Sequence, residues 1–254
     1  WRFAFFAVGI AGILLAPVFR MTIREPERGR FDRQRGPHAP PPLGTILRAL
    51  ARKPSFWLAS LAASCSSMMG YGLFFWLPSF LVRSYGLTLL EASLFYGAIL
   101  LLGGIAGIWL GGWAGDRFGQ ANRTAYVKIP ALAFLATIPF YVLGILSPTL
   151  VLSFFVLLVP TALGLAWLGP VISLIQHLVR PDMRATASAV FLFINNLIGI
   201  GVGTWAIGAL SDSLQLHYGS DSLRYAILAG TGFYVLAASL FLLSSRWVER
   251  DWEG

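Results

Sequence analysis

The chain has 254 residues, of which 57% are hydrophobic and 12% charged, with a mean hydropathy of +0.71. A soluble domain carries about 25% charged residues, so this composition excludes a water-soluble enzyme and a disordered chain and points to a membrane protein. The single cysteine, Cys65, excludes an internal disulfide framework and a multi-cysteine metal site, and the formal charge of +8 becomes a question of where the basic residues sit.

A membrane-spanning helix needs about 20 mostly apolar residues. Seven stretches qualify, at 3–19, 55–82, 88–113, 125–146, 150–178, 185–210 and 223–245. The first begins almost at Trp1, with no leader ahead of it, as in a piece that starts inside a longer protein. Residues 20–54 form the one long connection, in which Gly36 to Pro42 reads as a stiff linker. Leu43 to Arg52 then reads as a short amphipathic helix that lays Ile46, Leu47 and Leu50 on the membrane. The remaining connections are short, which implies antiparallel neighbours in a bundle, and residues 246–254 read as a tail.

The basic residues orient the chain. With 20–54 in the cytoplasm, only Arg2, Arg83 and Arg224 of the 19 Lys and Arg residues fall outside, and the other 16 fall inside. Attraction to anionic lipid accounts for the basic run, and a nucleic-acid partner is not expected because no aromatic residues are interleaved with the arginines.

Along the helices, Gly103, Gly107, Gly111 and Gly115 repeat every four residues, and Gly199 and Gly203 repeat the device in the sixth span. Small residues at that spacing let helix backbones approach closely in lipid. Pro78, Pro130, Pro139, Pro160 and Pro170 interrupt spans, as suits a protein that encloses a cavity and moves. Thr88 and Glu91 have capping-box spacing at the start of the third span.

No Asp, Glu, Lys or Arg lies at a mid-membrane position. The deep polar groups are Ser64, Ser66, Ser67, Tyr71, Tyr96, Thr161, Gln176, Asn195, Asn196 and Thr204, each able to bond a neighbouring helix. Asn195 and Asn196 are adjacent amides that point in different directions and need separate partners. His177 stands alone near a helix end, and Cys65 reads as a small buried side chain. No HExxH, buried carboxylate pair or nucleotide-binding glycine loop is present, so no enzyme, metal or cofactor is expected.

At the end of the third span the chain reads Gly111-Gly112-Trp113-Ala114-Gly115-Asp116-Arg117-Phe118-Gly119. This resembles the signature loop of the major facilitator superfamily, G-x-x-x-D-[RK]-x-G, on Gly112, Asp116, Arg117 and Gly119. The trailing basic residues of the pattern are delayed to Arg123. The resemblance implies an all-α membrane protein of seven transmembrane helices: the C-terminal six-helix bundle of that fold, at 55–245, preceded by its sixth helix at 1–19 and its central cytoplasmic loop at 20–54. A second half, with helices one to five, would then be the partner of this one. In such a transporter Asp116 docks on the N-terminal dipole of a neighbouring helix and Arg117 pairs with an acid or with helix-end carbonyls, so that both latch a cytoplasmic gate.

A narrower resemblance, to spinster-like transporters, rests on Arg24-Glu25-Pro26-Glu27-Arg28-Gly29, on Gly70-Tyr71-Gly72 with Trp76-Leu77-Pro78, and on Trp167-Leu168-Gly169-Pro170. Pro181 to Ala185, Asn196 to Gly199 and Asp221 to Ala226 add to it in order. Eukaryotic members of that branch move sphingosine phosphates and lysophospholipids. The resemblance implies secondary transport by alternating access, proton coupling being one option, in a bacterial inner membrane. It puts helices seven, eight, ten and eleven around the cavity, which makes Ser64, Ser67, Tyr71, Phe74, Phe75, Tyr96, Trp167, Asn195 and Asn196 the cavity candidates. Such a lining suits a small amphipathic or organic-anion solute. A multidrug or organic-acid permease of another branch, and a seven-helix receptor or scaffold, are the competing readings.

Overall fold

The computed structural model describes residues 2–23 and 41–253. The Arg24 to Gly29 motif and the linker at 36–40 lie outside them. The described residues contain helices and no strands, in two compact units. In the first, α1 (Arg2–Thr22) runs unbroken through Pro17.

The second unit holds α2 (Leu43–Ala51), α3 (Pro54–Tyr85), α4 (Leu89–Gly119), α5 (Ala125–Ile145), α6 (Leu150–Leu165) and α7 (Leu168–His177). After these come α8 (Arg184–Tyr218), α9 (Ser222–Gly230), α10 (Gly232–Ser244) and α11 (Val248–Asp251). Six apolar helical runs among the described residues are long enough to cross a membrane. The last of them, Pro181–Ser244, turns back on itself at Gly219, whose φ of +53° favours glycine, and α9 then packs against α8. That run therefore supplies two passes, which makes seven.

Several elements end where side-chain chemistry, not the apolar count, dictates. The count stops at 113, yet nothing from Ala114 to Phe118 breaks a helix, so α4 continues to Gly119 and Asp116 sits in its last turns. Pro170 cannot donate to the carbonyl of Ala166 four residues back, and the span at 150–178 accordingly breaks at Ala166-Trp167 into α6 and α7. The glycines flanking Thr231 mark a further break, between α9 and α10. The capping box at Thr88 is complete: Glu91 N–H donates to Thr88 Oγ1 and Thr88 N–H donates to Glu91 Oε2 at 2.8 Å.

The glycine repeats fall on contact lines. A Cβ on Gly107 or Gly111 would lie 2.1 or 2.0 Å from the carbonyl oxygen of Ala162 or Ala166, and Gly103 faces Leu158 and Thr161. Backbone therefore touches backbone where α4 crosses α6. Gly199 faces Ser67, and Gly203 faces the backbone of Met68, along the α3–α8 contact.

Two expectations are corrected at the end of the bundle that carries Lys53. Most of the apolar face of α2 is covered by protein: Ile46 and Leu50 are 2% and 1% exposed because α2 packs on α3 and α8, and of the three expected on the membrane Leu47 alone remains open. The residues after 245, expected as a tail, fold back onto the bundle. Asp251 Oδ2 accepts the backbone N–H of Ser55 at 3.0 Å and its hydroxyl at 2.7 Å, which caps the start of α3. Lys53 Nζ donates to the Asp251 carbonyl at 2.8 Å and to Glu253 Oε1 at 2.6 Å, and Glu253 N–H donates to the His177 carbonyl at 2.9 Å. The Trp252 ring stacks on that of His177, with centroids 4.5 Å apart, and Arg123 lies 5.0 Å over it. At the opposite end Arg224 pairs with Asp221 at 3.1 Å.

Candidate functional site

A cavity of about 340 Å³ opens within the second unit. Ser66, Ser67, Gly70, Tyr71, Leu73 and Phe74 of α3 line one wall, Tyr96 and Leu100 of α4 another, and Leu192, Asn195 and Asn196 of α8 a third. Thr161, Gly164 and Leu165 of α6, together with Trp167 and Leu168 at the α6–α7 break, close it, with Tyr141 and Tyr234 behind. No Asp, Glu, Lys, Arg or His is among these lining residues.

Seven of the nine residues expected around a cavity are thus brought together: Ser67, Tyr71, Phe74, Tyr96, Trp167, Asn195 and Asn196. Ser64 and Phe75 stand outside. On a helix advancing about 100° per residue, both lie roughly 60–80° round from Ser67, away from Ser66, Gly70 and Leu73. Ser64 is fully buried and its hydroxyl donates to the Ser60 carbonyl at 2.8 Å. Phe75 is exposed beyond the rim, edge-on to Phe74.

The adjacent amides of α8 do find separate partners, both on α3. Ser67 Oγ donates to Asn195 Oδ1 at 2.9 Å, and Tyr71 OH donates to Asn196 Oδ1 at 2.8 Å. Asn196 Nδ2 turns back to the Leu192 carbonyl at 2.8 Å. Trp76 Nε1 adds a third cross-helix bond, to the Thr204 carbonyl at 2.9 Å. The other hydroxyls donate locally: Ser66, Thr161 and Thr204 each bond a carbonyl three or four residues back in their own helix, a local alternative open to any short hydroxyl side chain. Cys65 is half-buried rather than enclosed.

The cavity reaches further than helices seven, eight, ten and eleven. Tyr141 of α5 and Tyr234 of α10 come from the outer positions, stacked with centroids 5.9 Å apart. Neither was a candidate, since a tyrosine in an apolar span reads as ordinary core. A phenol has to place its hydroxyl somewhere, and that was the available signal.

At the signature loop, Gly119 is required by packing, because a Cβ there would lie 2.4 Å from the Tyr126 ring. Gly112 approaches Gly169 in the α7 start. Asp116 and Arg117 are exposed and make no ion pair or hydrogen bond among the described residues. Asp116 also stands near the C-terminal end of its own helix, close to Tyr126 in the first turn of α5. Among the described residues no three His, Cys, Asp or Glu side chains group closely enough to hold a metal ion.

The major facilitator superfamily model matches residues 1–204. An MFS-type efflux pump of Mycolicibacterium smegmatis is 32% identical over 255 residues, taking in 99% of this chain and 58% of the pump. Protein spinster homolog 1 of Homo sapiens is 27% identical over 275 residues, covering 99% of this chain and 52% of the relative. The chain therefore spans little more than half the length of the curated relatives it matches. A crystal structure of a bacterial homolog to the human lysosomal transporter spinster, inward-facing and unoccupied, superposes with a TM-score of 0.80 at 28% identity, over 100% of this chain and 60% of that one. The occupied form of that homolog gives 0.74 at 28% identity. Seven apolar helices, a neutral cavity walled by α3, α4, α6 and α8, and these matches agree: the chain is a multi-pass membrane protein that belongs to the major facilitator superfamily, in its spinster-like branch.

Proposed function

We propose that this chain forms the C-terminal half, with the preceding sixth helix, of a secondary active transporter that works by alternating access in a bacterial inner membrane. The observation that carries this reading is the mid-bundle cavity, where two amides and several hydroxyls are set among aromatic faces with no fixed charge. Such a wall holds the apolar and hydrogen-bonding parts of a small amphipathic or organic-anion solute. The matched efflux pump and lysosomal transporter homolog support transport as the activity.

Alternating access needs a latch that forms in one state and breaks in the other. Asp116 and Arg117, exposed at the end of α4, are the groups free to make it with a helix of the other half. Because no acid lies mid-membrane in this chain, any proton-coupling carboxylate belongs to that other half as well.

The test is uptake by the full-length protein in proteoliposomes, comparing a radiolabelled lysophospholipid with an organic acid. Accumulation of either supports the reading and assigns the solute class. No accumulation of any amphiphile or organic acid under imposed proton or sodium gradients overturns it. Asp116→Asn is expected to slow uptake while leaving membrane insertion intact, and an unchanged rate would remove the latch from the mechanism.

A further inference from the structure

The cavity also gathers three tyrosine hydroxyls to which the transport reading gives no particular part of the solute. Tyr96, Tyr141 and Tyr234 are each 8% exposed or less, although all three line the cavity. They come from three different helices, α4, α5 and α10. Tyr141 interacts with Tyr234 and with Thr161 through their hydroxyls, and Tyr96 stands close enough to couple electrostatically to both phenols. Stacking fixes the rings: Tyr234 lies between Tyr141 and Phe134, at centroid distances of 5.9 and 5.2 Å, and Tyr96 leans on Phe74 at 6.4 Å. Space is kept open beside them, since Gly164 has no side chain where a Cβ would lie 3.2 Å from the Tyr234 hydroxyl.

A hydroxyl offers one rotatable hydrogen and two lone pairs. Thr161 spends its hydrogen on the Leu157 carbonyl at 2.7 Å, so toward its neighbours it can only accept. Three phenol hydrogens then face more lone pairs than they can fill, and the group always retains acceptors for a guest. Turning a hydrogen toward the guest makes a donor of the same group. Among the described residues no charged side chain lines the chamber, so a carboxylate, phosphate or ammonium entering it would lose its water without gaining a counter-charge from this half, at a cost of several kcal/mol.

We propose that Tyr96, Tyr141 and Tyr234 form a specificity-determining subsite for an uncharged, oxygen-rich group carrying both donors and acceptors, such as a vicinal diol on an apolar body. The inference rests on the cavity being the solute site of the transporter. It adds that the charged end of an ionic amphiphile stays outside this chamber, which selects the neutral polar part of the solute.

The test uses two soluble probes with one ring in common, 3-phenoxypropane-1,2-diol and phenyl phosphate, titrated calorimetrically into the purified full-length protein. The diol is expected to bind about tenfold more tightly than the phosphate, because the phosphate must be desolvated without a partner charge. Tyr96→Phe, Tyr141→Phe and Tyr234→Phe keep the stacked rings, and each is expected to weaken diol binding by about two- to tenfold, the worth of one neutral hydrogen bond. Gly164→Ala removes no hydroxyl but fills the space beside Tyr234, and it is expected to weaken the diol too. The assignment is overturned if wild-type protein does not bind the diol, if the phosphate binds as tightly, if all three phenylalanine variants stay within about twofold of wild type, or if Gly164→Ala leaves diol affinity unchanged. Binding is read at equilibrium with no gradient. A protein that binds the diol but accumulates nothing in proteoliposomes would refute the transport reading and leave the subsite standing.

Discussion

Helix α3 is joined to its neighbours in opposite ways at its middle and at the end that carries Lys53. In the middle, α3 meets α8 through neutral groups, Ser67 with Asn195 and Tyr71 with Asn196. At the Lys53 end, charges are buried: Lys53 and Asp251 are 8% and 6% exposed, and between them they hold α3, the chain after α10 and, through Glu253, the last carbonyl of α7. A neutral bond beside a cavity can be exchanged for one to water or to a solute at little net cost. A buried carboxylate that receives two bonds at a helix start has no such substitute. The end is therefore built to hold the helices in register while the middle stays exchangeable.

The sharpest way to break that contrast is Asp251→Ala. It strips the cap from α3 and leaves the Ser55 N–H and hydroxyl without their acceptor, which should destabilise the protein by about 3 kcal/mol. Asp251→Asn keeps an oxygen for Ser55 and should cost less. Thermal unfolding of the full-length protein in detergent checks both, and a midpoint for Asp251→Ala equal to wild type would show that the end is no firmer than the middle. Trp252→Ala comes next. Its ring covers His177 and Tyr126 and carries Arg123 on its outer face. Removing a half-buried indole should cost about 2 kcal/mol, and it should expose the end of α7 to proteolysis and to faster amide exchange.

The contrast also sets how far the molecule could be read beforehand. The spans, the capping box and the glycine seams follow from local pattern, because each depends on residues within a few turns of one another. The separate needs of Asn195 and Asn196 were readable for the same reason, though not the identity of their partners. What Ile46 and Leu50 pack against was not readable: their spacing marks an apolar face but not whether lipid or protein covers it. The clasp at Asp251 joins residues nearly 200 positions apart, and nothing near 251 advertises a helix start at 54. Tyr141 and Tyr234 escaped notice for a related reason. Alone each is a core aromatic, and only the convergence of α4, α5, α6 and α10 turns them into a lining.

The smallest effects should separate the two amide pairs from each other. Asn195 is 4% exposed and its carbonyl depends on Ser67. Ser67→Ala leaves that oxygen buried and unpaired, which should cost about 1–2 kcal/mol. Asn196 is half-buried at the cavity wall, and its amide nitrogen is already held by the Leu192 carbonyl. Tyr71→Phe leaves only an oxygen that water in the cavity can reach, so its cost should not exceed about 0.6 kcal/mol, the average for a hydrogen bond between membrane helices. The two substitutions each remove one hydroxyl from the same helix face, one turn apart, so they differ mainly in the burial of the amide left behind. Unfolding midpoints measured side by side decide the matter. If Tyr71→Phe costs as much as Ser67→Ala, the cavity wall is as rigid as the bundle interior, and exchange of bonds at the middle is not how this half meets its solute.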